Sequence, residues 1–413
     1  MNDRDALYRA VLDNPDDDTL RLVYADALEE SGDPRRATFI RTHVELSRIP
    51  EYDPASIARR HNQKKKTTGE RWVPDLPSLP DGLSWGRDPF RRGMLGTIQA
   101  TNGAAFVANA DELFELYPIE SLELSDTRLV DTAELAACHW LNRIRHLALV
   151  QGASGPAVRR LLDSEHFERL TAIHLGPELT TSATVAATVR SRVFGRLTDL
   201  SVHEDRRGGG SFVGELSRLA APPKLKRLDL SSNRLTAESL DRLTASAVLG
   251  TIEELDLSDN NLGAEGLTVL SGATLPNLRA LHLLRTRPTV EGVAALVGAG
   301  FFPELRSLSL GGNNLASTAA TWIAGAPASN LRVLNLHENR VGDRGAESLA
   351  KSANLVGLLV LDVAEAHIGD AGAEALARSE HLSNLMYLNL YGNAIDPAPV
   401  GRLRKRFGDR VFL

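Results

Sequence analysis

Cysteine occurs once in 413 residues, at Cys138. A single cysteine excludes an intramolecular disulfide framework and any cysteine-based zinc site, and it fits a reducing compartment. Long apolar runs are missing as well, and no stretch approaches the ~20 apolar residues that span a bilayer. The opening MNDRDALYRAVLDNPDDD is acidic and lacks the apolar centre of a secretory signal. These absences set the expectation of a cytoplasmic protein. Charge of one sign is also scarce: a net −6 is mild for this length. That excludes nucleic-acid binding driven by bulk charge, though not a local basic patch. Catalytic signatures are absent too. The eleven histidines are scattered without HExxH spacing, and neither a GxSxG elbow nor a GxxxxGK[ST] loop occurs. Cys138 in LAACHWL (135–141) reads as an inert thiol inside an apolar helix. The expectation is therefore no enzyme, no metal and no cofactor.

What the sequence does contain is a repeat. LKRLDLSSNRL from Leu225, IEELDLSDNNL from Ile252, LRALHLLRTRP from Leu278 and LRSLSLGGNNL from Leu305 align with one another. LRVLNLHENRV from Leu331, LLVLDVAEAHI from Leu358 and LMYLNLYGNAI from Leu385 continue the series at 26 or 27 residue steps. Weaker copies start at Ile119, Ile144, Leu170 and Leu197, and an atypical first copy at Leu95 gives about twelve in all. Within each LxL, alternate side chains of a short strand point inward and the residue between faces out. The second half of each copy reads as a helix: GDRGAESLA (342–350) and GDAGAEALA (369–377) put Leu349 or Leu376 on one face. Gly345, Ala346, Gly372 and Ala373 would let neighbouring helices approach closely. Strands pack at roughly 4.8 Å and helices at about 10 Å, so such a stack curves with its strands on the concave side.

Copies of this length, with LxxLxLxxNxL and a full helix, resemble the ribonuclease-inhibitor subtype of leucine-rich repeats. The resemblance implies an α/β solenoid, a horseshoe with a parallel concave sheet and convex helices, over residues 95–413. Asn233, Asn260, Asn313, Asn339 and Asn393 take the position whose amide satisfies turn backbone in such repeats. That ladder lapses at Thr286 and Ala366, and upstream at Thr127, Gly152, Glu178 and Asp205. The stretch Arg206–Gly210 reads as a mobile loop.

Residues 1–50 carry no repeat. Asp3 can cap a helix with Leu7, Tyr8, Val11 and Leu12, broken at Asn14-Pro15. Asp17 or Asp18 can cap a second with Leu20, Val23, Tyr24 and Leu28 inward, ending at Gly32. A third runs from Pro34 to Ser47 with Ala37, Ile40 and Val44. The string LDNPDDDTLRLVYADALEESGDPRRATFIRTHVEL (12–46) resembles the bacterial repeat-companion domain, a module found beside leucine-rich repeats. It implies an architecture and brings no activity with it. The cluster Asp16–Asp18 reads as helix capping rather than as a metal site. Asp26, Glu29, Arg35, Arg36 and Arg41 suit an internal ion-pair set, with a docking surface as the alternative. Residues 51–94 read as connector and cap, and Trp72 or Trp85 covers the open end. The basic stretch at 59–71 reads as a solvated face rather than as a contact for nucleic acid or an acidic partner, since no aromatics interleave it. At the other end, Val400, Leu403 and Phe407 form a helix face before a last strand at 411–413.

The functional expectation rests on the outward strand residues. Asp229, Glu254, Asp256 and Asp259 make an acidic centre, and His282, Asn335, His337, Glu338, Asp362, Tyr387, Asn389 and Tyr391 extend it. Tyr387 and Tyr391 suit a protein contact, because tyrosine joins apolar area to a polar tip. The reading is a non-catalytic scaffold holding a protein or peptide, one with a basic patch, on the concave face. Ribonuclease-inhibitor-like repeats also build a Ran GTPase-activating protein, so the resemblance leaves regulation of a small GTPase as the alternative.

Overall fold

The computed structural model describes residues 3–50, 52–57, 76–126, 132–152, 154–177, 179–203, 210, 212–219, 224–326 and 330–413. Trp72, the basic stretch 59–71, the loop residues 206–209, and Thr127, Glu178 and Asp205 lie outside them. The chain forms two compact units, residues 1–50 with 63–200, and residues 51–62 with 201–413.

The first unit opens with helices α1 (Asp3–Asp13), α2 (Asp18–Glu30) and α3 (Pro34–Ser47). Asp17 accepts from Thr19 N and Asp33 accepts from Arg36 N, so both caps are the short acidic residues that favour a helix start. Val11, Tyr24, Ala25, Leu28, Ala37, Ile40 and Val44 share one core with Met94. One expected inward residue is displaced: Val23 is 40% exposed, whereas Arg21 is fully buried. The face of α2 is turned by one position so that Arg21 reaches the carbonyl of Pro15. The acidic cluster is divided among partners. Asp17 caps, Asp16 pairs with Arg145 and Arg169, and Asp18 pairs with Arg48 and Arg92. Arg41 bridges Asp26 and Glu29.

The strands Thr97–Ala100, Ser121–Leu124, His146–Leu149 and Ala172–Leu175 follow in parallel register. Leu83–Trp85 closes the edge of Thr97–Ala100 antiparallel. Trp85 lies edge-on to Tyr117 at 5.0 Å and donates to Pro77 O at 2.8 Å. Cys138 is buried, but it follows the helix Thr132–Ala136 instead of lying within it, because that helix ends after five residues. Burial holds its thiol pKa up, which suits an unreactive thiol.

In the second unit eight strands pair in parallel from Arg227–Asp229 to Val411–Phe412, and each LxL pair is buried. Helices such as Gly342–Lys351 and Asp370–Arg378 return each strand to the next. The small residues do what their size allows. A Cβ on Gly372 would lie 3.0 Å from Asp343 Cα, and Asp343 Oδ1 accepts from Gly369 N and Gly372 N at 2.8 and 2.9 Å. One helix thus caps the next. The end helix Pro397–Phe407 buries Leu403 and Phe407 before the final short strand.

The asparagine ladder is built between neighbouring repeats. Asn260 Oδ1 accepts from Asn233 N and Leu235 N, while its Nδ2 donates to Leu230 O and Leu257 O. Asn313, Asn339 and Asn393 repeat the pattern. Where the next repeat supplies this oxygen, the residue after the ladder position turns left-handed, as at Arg234, Arg287, Asn314 and His367. Where it does not, at Thr286 and Ala366, the preceding loop changes. Gly263 and Gly342 take φ of 64° and 58°, and their N–H groups donate to Thr286 O and Ala366 O. A backbone bond through a left-handed glycine replaces the missing amide.

Candidate strand-face site

The strand face of the second unit carries two outward rows. One runs Arg227, Glu254, Ala280, Ser307, Val333, Val360, Tyr387, and the other Asp229, Asp256, His282, Ser309, Asn335, Asp362, Asn389, as the strand pairings set them. Three of the four acidic residues, Asp229, Glu254 and Asp259, are paired. Asp229 Oδ2 lies 2.6 Å from His203 Nε2, and although burial pushes its pKa up, the His203 and Ser231 contacts hold it low. Glu254 is 7% exposed between Arg227 Nε at 3.4 Å and His282 Nε2 at 3.3 Å. Asp256 has a raised pKa from burial and the neighbouring Asp229 charge. Asp259 is locked by two nitrogens of the Arg285 guanidinium, Nε at 2.5 Å and Nη2 at 2.7 Å.

His203 Nε2 also lies 3.5 Å from Ser231 Oγ. Serine and aspartate face the same ring nitrogen, so this trio lacks the opposed-nitrogen geometry of a proton relay. Among the described residues no group of three or more His, Cys, Asp or Glu could hold a metal ion. A cavity of about 40 Å³ in the first unit, lined by Ser78, Asn109 and Tyr117, is too small for a drug-sized ligand.

Several side chains expected to face a partner also bind their own backbone. Asp229, Asp256, Asn335, Asp362 and Asn389 each accept from the N–H two residues on, at 2.8 to 3.1 Å. These Asx turns shape the strand ends. Their signal was the recurrent Asp or Asn in L[DN]L, which a surface reading credits to solubility or binding. Asn335 Oδ1 also meets His337 Nδ1 at 2.6 Å, and His337 Nε2 lies 3.8 Å from Glu338. The two tyrosines separate. Tyr391 is 63% exposed, whereas Tyr387 is 5% exposed beneath Ile57 and against Phe412. Tyr387 is therefore not offered to solvent, because the connector covers it.

His282 supplies a pH test. Burial lowers its pKa, but the Glu254 hydrogen bond and the Asp256 charge outweigh that and the net shift is upward, with Arg227 opposing. A raised folded-state pKa gives stability that is complete below the unfolded value and lost as pH rises through the folded one. His282→Gln should therefore lower the urea midpoint more at about pH 6 than at about pH 9, with a cost of about 1–2 kcal/mol at the lower pH. A deficit that grows toward alkaline pH would reverse the assignment.

A family model described as Leucine Rich repeat matches residues 221–243, 251–271, 328–350 and 358–377. The matched segments lie in the repeats whose strands and ladder have just been described, and all four belong to the second unit. The fold is that of a leucine-rich-repeat solenoid. The chain shares 17% identity and a TM-score of 0.52 with a structure of the Rad7 and Elc1 complex in yeast, covering 74% of this chain and 79% of that one. An internalin (inlF) from Listeria monocytogenes is similar at 18% identity and a TM-score of 0.41, over 71% and 72% of the two chains. A comparison with curated proteins returns no match. No helix among the described residues is long and apolar enough to cross a membrane.

Proposed function

We propose that this leucine-rich-repeat protein is a non-catalytic scaffold that holds a protein partner on the strand face of residues 201–413. The observation that carries the proposal is the two-row face itself. It is broad, with Asp229 and Asp256 toward one end, Glu338 further along and Tyr391 open to solvent toward the other. Rigid side chains favour recognition, since a surface already ordered loses less entropy on binding, and the Asx turns and ion pairs supply that rigidity here. The structural neighbour Rad7 was itself solved with Elc1, so a chain of this fold accommodates a protein partner. The acidic centre selects a partner with a basic patch and makes association sensitive to salt.

The test is capture from source-cell lysate with the intact chain and with a variant carrying Asp229→Asn, Asp256→Asn and Tyr391→Ala. Circular dichroism melts confirm that the variant folds. A partner retained by the intact chain, lost with the variant and weakened by salt is the expected result. Equal retention by both baits would remove the strand face as the recognition surface.

A further inference from the structure

Residues 52–57, which belong to the second unit, lie on its strand face. Tyr52 is 9% exposed and Ser56 fully buried. The charges that act on Tyr52 are those of Glu253, Glu254, Arg279 and Arg306. Ile57 packs on Val333, Val360 and Tyr387, beside Phe412. Between these two anchors the segment makes a helical turn from Pro54. Asp53 Oδ1 accepts from Ala55 N at 2.8 Å, and Asp53 O accepts from Ile57 N at 3.0 Å. An Asp cap followed by Pro at the first helical position is preorganised for this turn.

The fit is imperfect. Ser56 Oγ is buried with no hydrogen-bond partner, as is Ser309 Oγ on the strand face. A buried hydroxyl without a partner weakens the contact it sits in. Burial and the charges of Glu253 and Glu254 push the pKa of the Tyr52 phenol up. A tethered segment can fill a site despite such defects, because a short linker gives it an effective concentration in the millimolar range.

We infer that the patch formed by Glu254, Val333, Val360 and Tyr387 is a recognition site for a capped helical segment of a partner protein, and that residues 52–57 are its resident occupant. The partner segment carries an aromatic residue just before an Asp-Pro helix start and a branched aliphatic residue five positions after the aromatic. It improves on the resident by placing a small apolar side chain where Ser56 stands. The inference rests on the scaffold reading above, and it names the partner's chemistry for a different part of the same face.

The probe is a fluorescent peptide copying residues 49–59, titrated by anisotropy into the full chain and into its Ile57→Asp variant. Ile57 lies outside the repeats, so the substitution frees the patch and spares their core. The variant should bind the peptide about tenfold or more tightly than the intact chain does, since the tethered competitor is gone. A peptide with Ser56→Ala should bind about threefold to tenfold tighter again. A peptide with Ile57→Asp should not bind, and adding Tyr391→Ala to the opened chain should change nothing. Absence of saturable binding to the opened chain overturns the inference, as does equal binding by the Ile57→Asp peptide or by the intact chain. Such a failure leaves the lysate result at Asp229, Asp256 and Tyr391 standing, so the two readings fall separately.

Discussion

Replacing Asn313 by alanine should destabilise the second unit by about 3–5 kcal/mol, a large loss for a single polar side chain and one that Asn260 and Asn339, with the same contacts, should match. Four backbone groups depend on this amide. Thr286 N and Arg287 N donate to its oxygen at 2.8 and 3.0 Å, and its nitrogen donates to Leu283 O and Leu310 O at 2.7 and 2.9 Å. Asn313 is 6% exposed, so water does not readily replace it. Each orphaned buried group costs about 1–3 kcal/mol, and partial relaxation brings the sum below the simple total. The readout is the urea midpoint together with amide exchange at residues 283–287, which should open first. A loss under about 1 kcal/mol would mean that the loop finds other partners. Asn393, which is only half-buried and makes the same four contacts at the last ladder position, should cost less.

Gly93→Ala should loosen the three-helix module by about 2–5 kcal/mol. Gly93 has φ of 79°, and a Cβ there would fall well inside contact distance of Ile40 Cα, with the Ile40 side chain at 3.2 Å. The left-handed backbone alone costs alanine about 1–2 kcal/mol, and displacing the backbone of a fully buried residue adds about 1–3. The neighbours offer little room to yield. Met94 is in the helical core, and Arg92 is fixed by Asp18 and Glu120. Faster proteolysis within α2 and α3, with the second unit's exchange unchanged, is the expected pattern. Unaltered proteolysis would show that α3 shifts freely.

Much of this architecture is legible in the sequence, because leucine spacing is a direct consequence of strand alternation and burial. The LxL pairs, the ladder asparagines and the bounds of α3 all follow from local chemistry: a period, an amide, an Asp-Pro start. The strand-face residues were legible as a set, but their roles were not. Asp229 and Asn389 look like surface charge and amide until the backbone two residues on is seen to need them. Tyr387 reads as an exposed aromatic because its cover comes from residues 52–57, more than three hundred positions away. Periodicity within a repeat carries no information about a segment outside it. Val23, expected inward, misled for a similar reason. An arginine on a helix reads as solvated, and only the Pro15 carbonyl explains why it turns inward while Val23 does not.

The two loop geometries also give the repeats a word order. A repeat ending in the left-handed glycine, as at Gly263, expects a successor without the amide. A repeat with the left-handed residue straight after its asparagine, as at Arg234, expects a successor that has one. Copying residues 252–304 as a block would keep each expectation met, whereas copying 252–277 alone would set the Gly263 loop before an asparagine. Growth or shortening of this array is therefore constrained to whole phrases, and the unit of inheritance at such a joint is a pair of repeats.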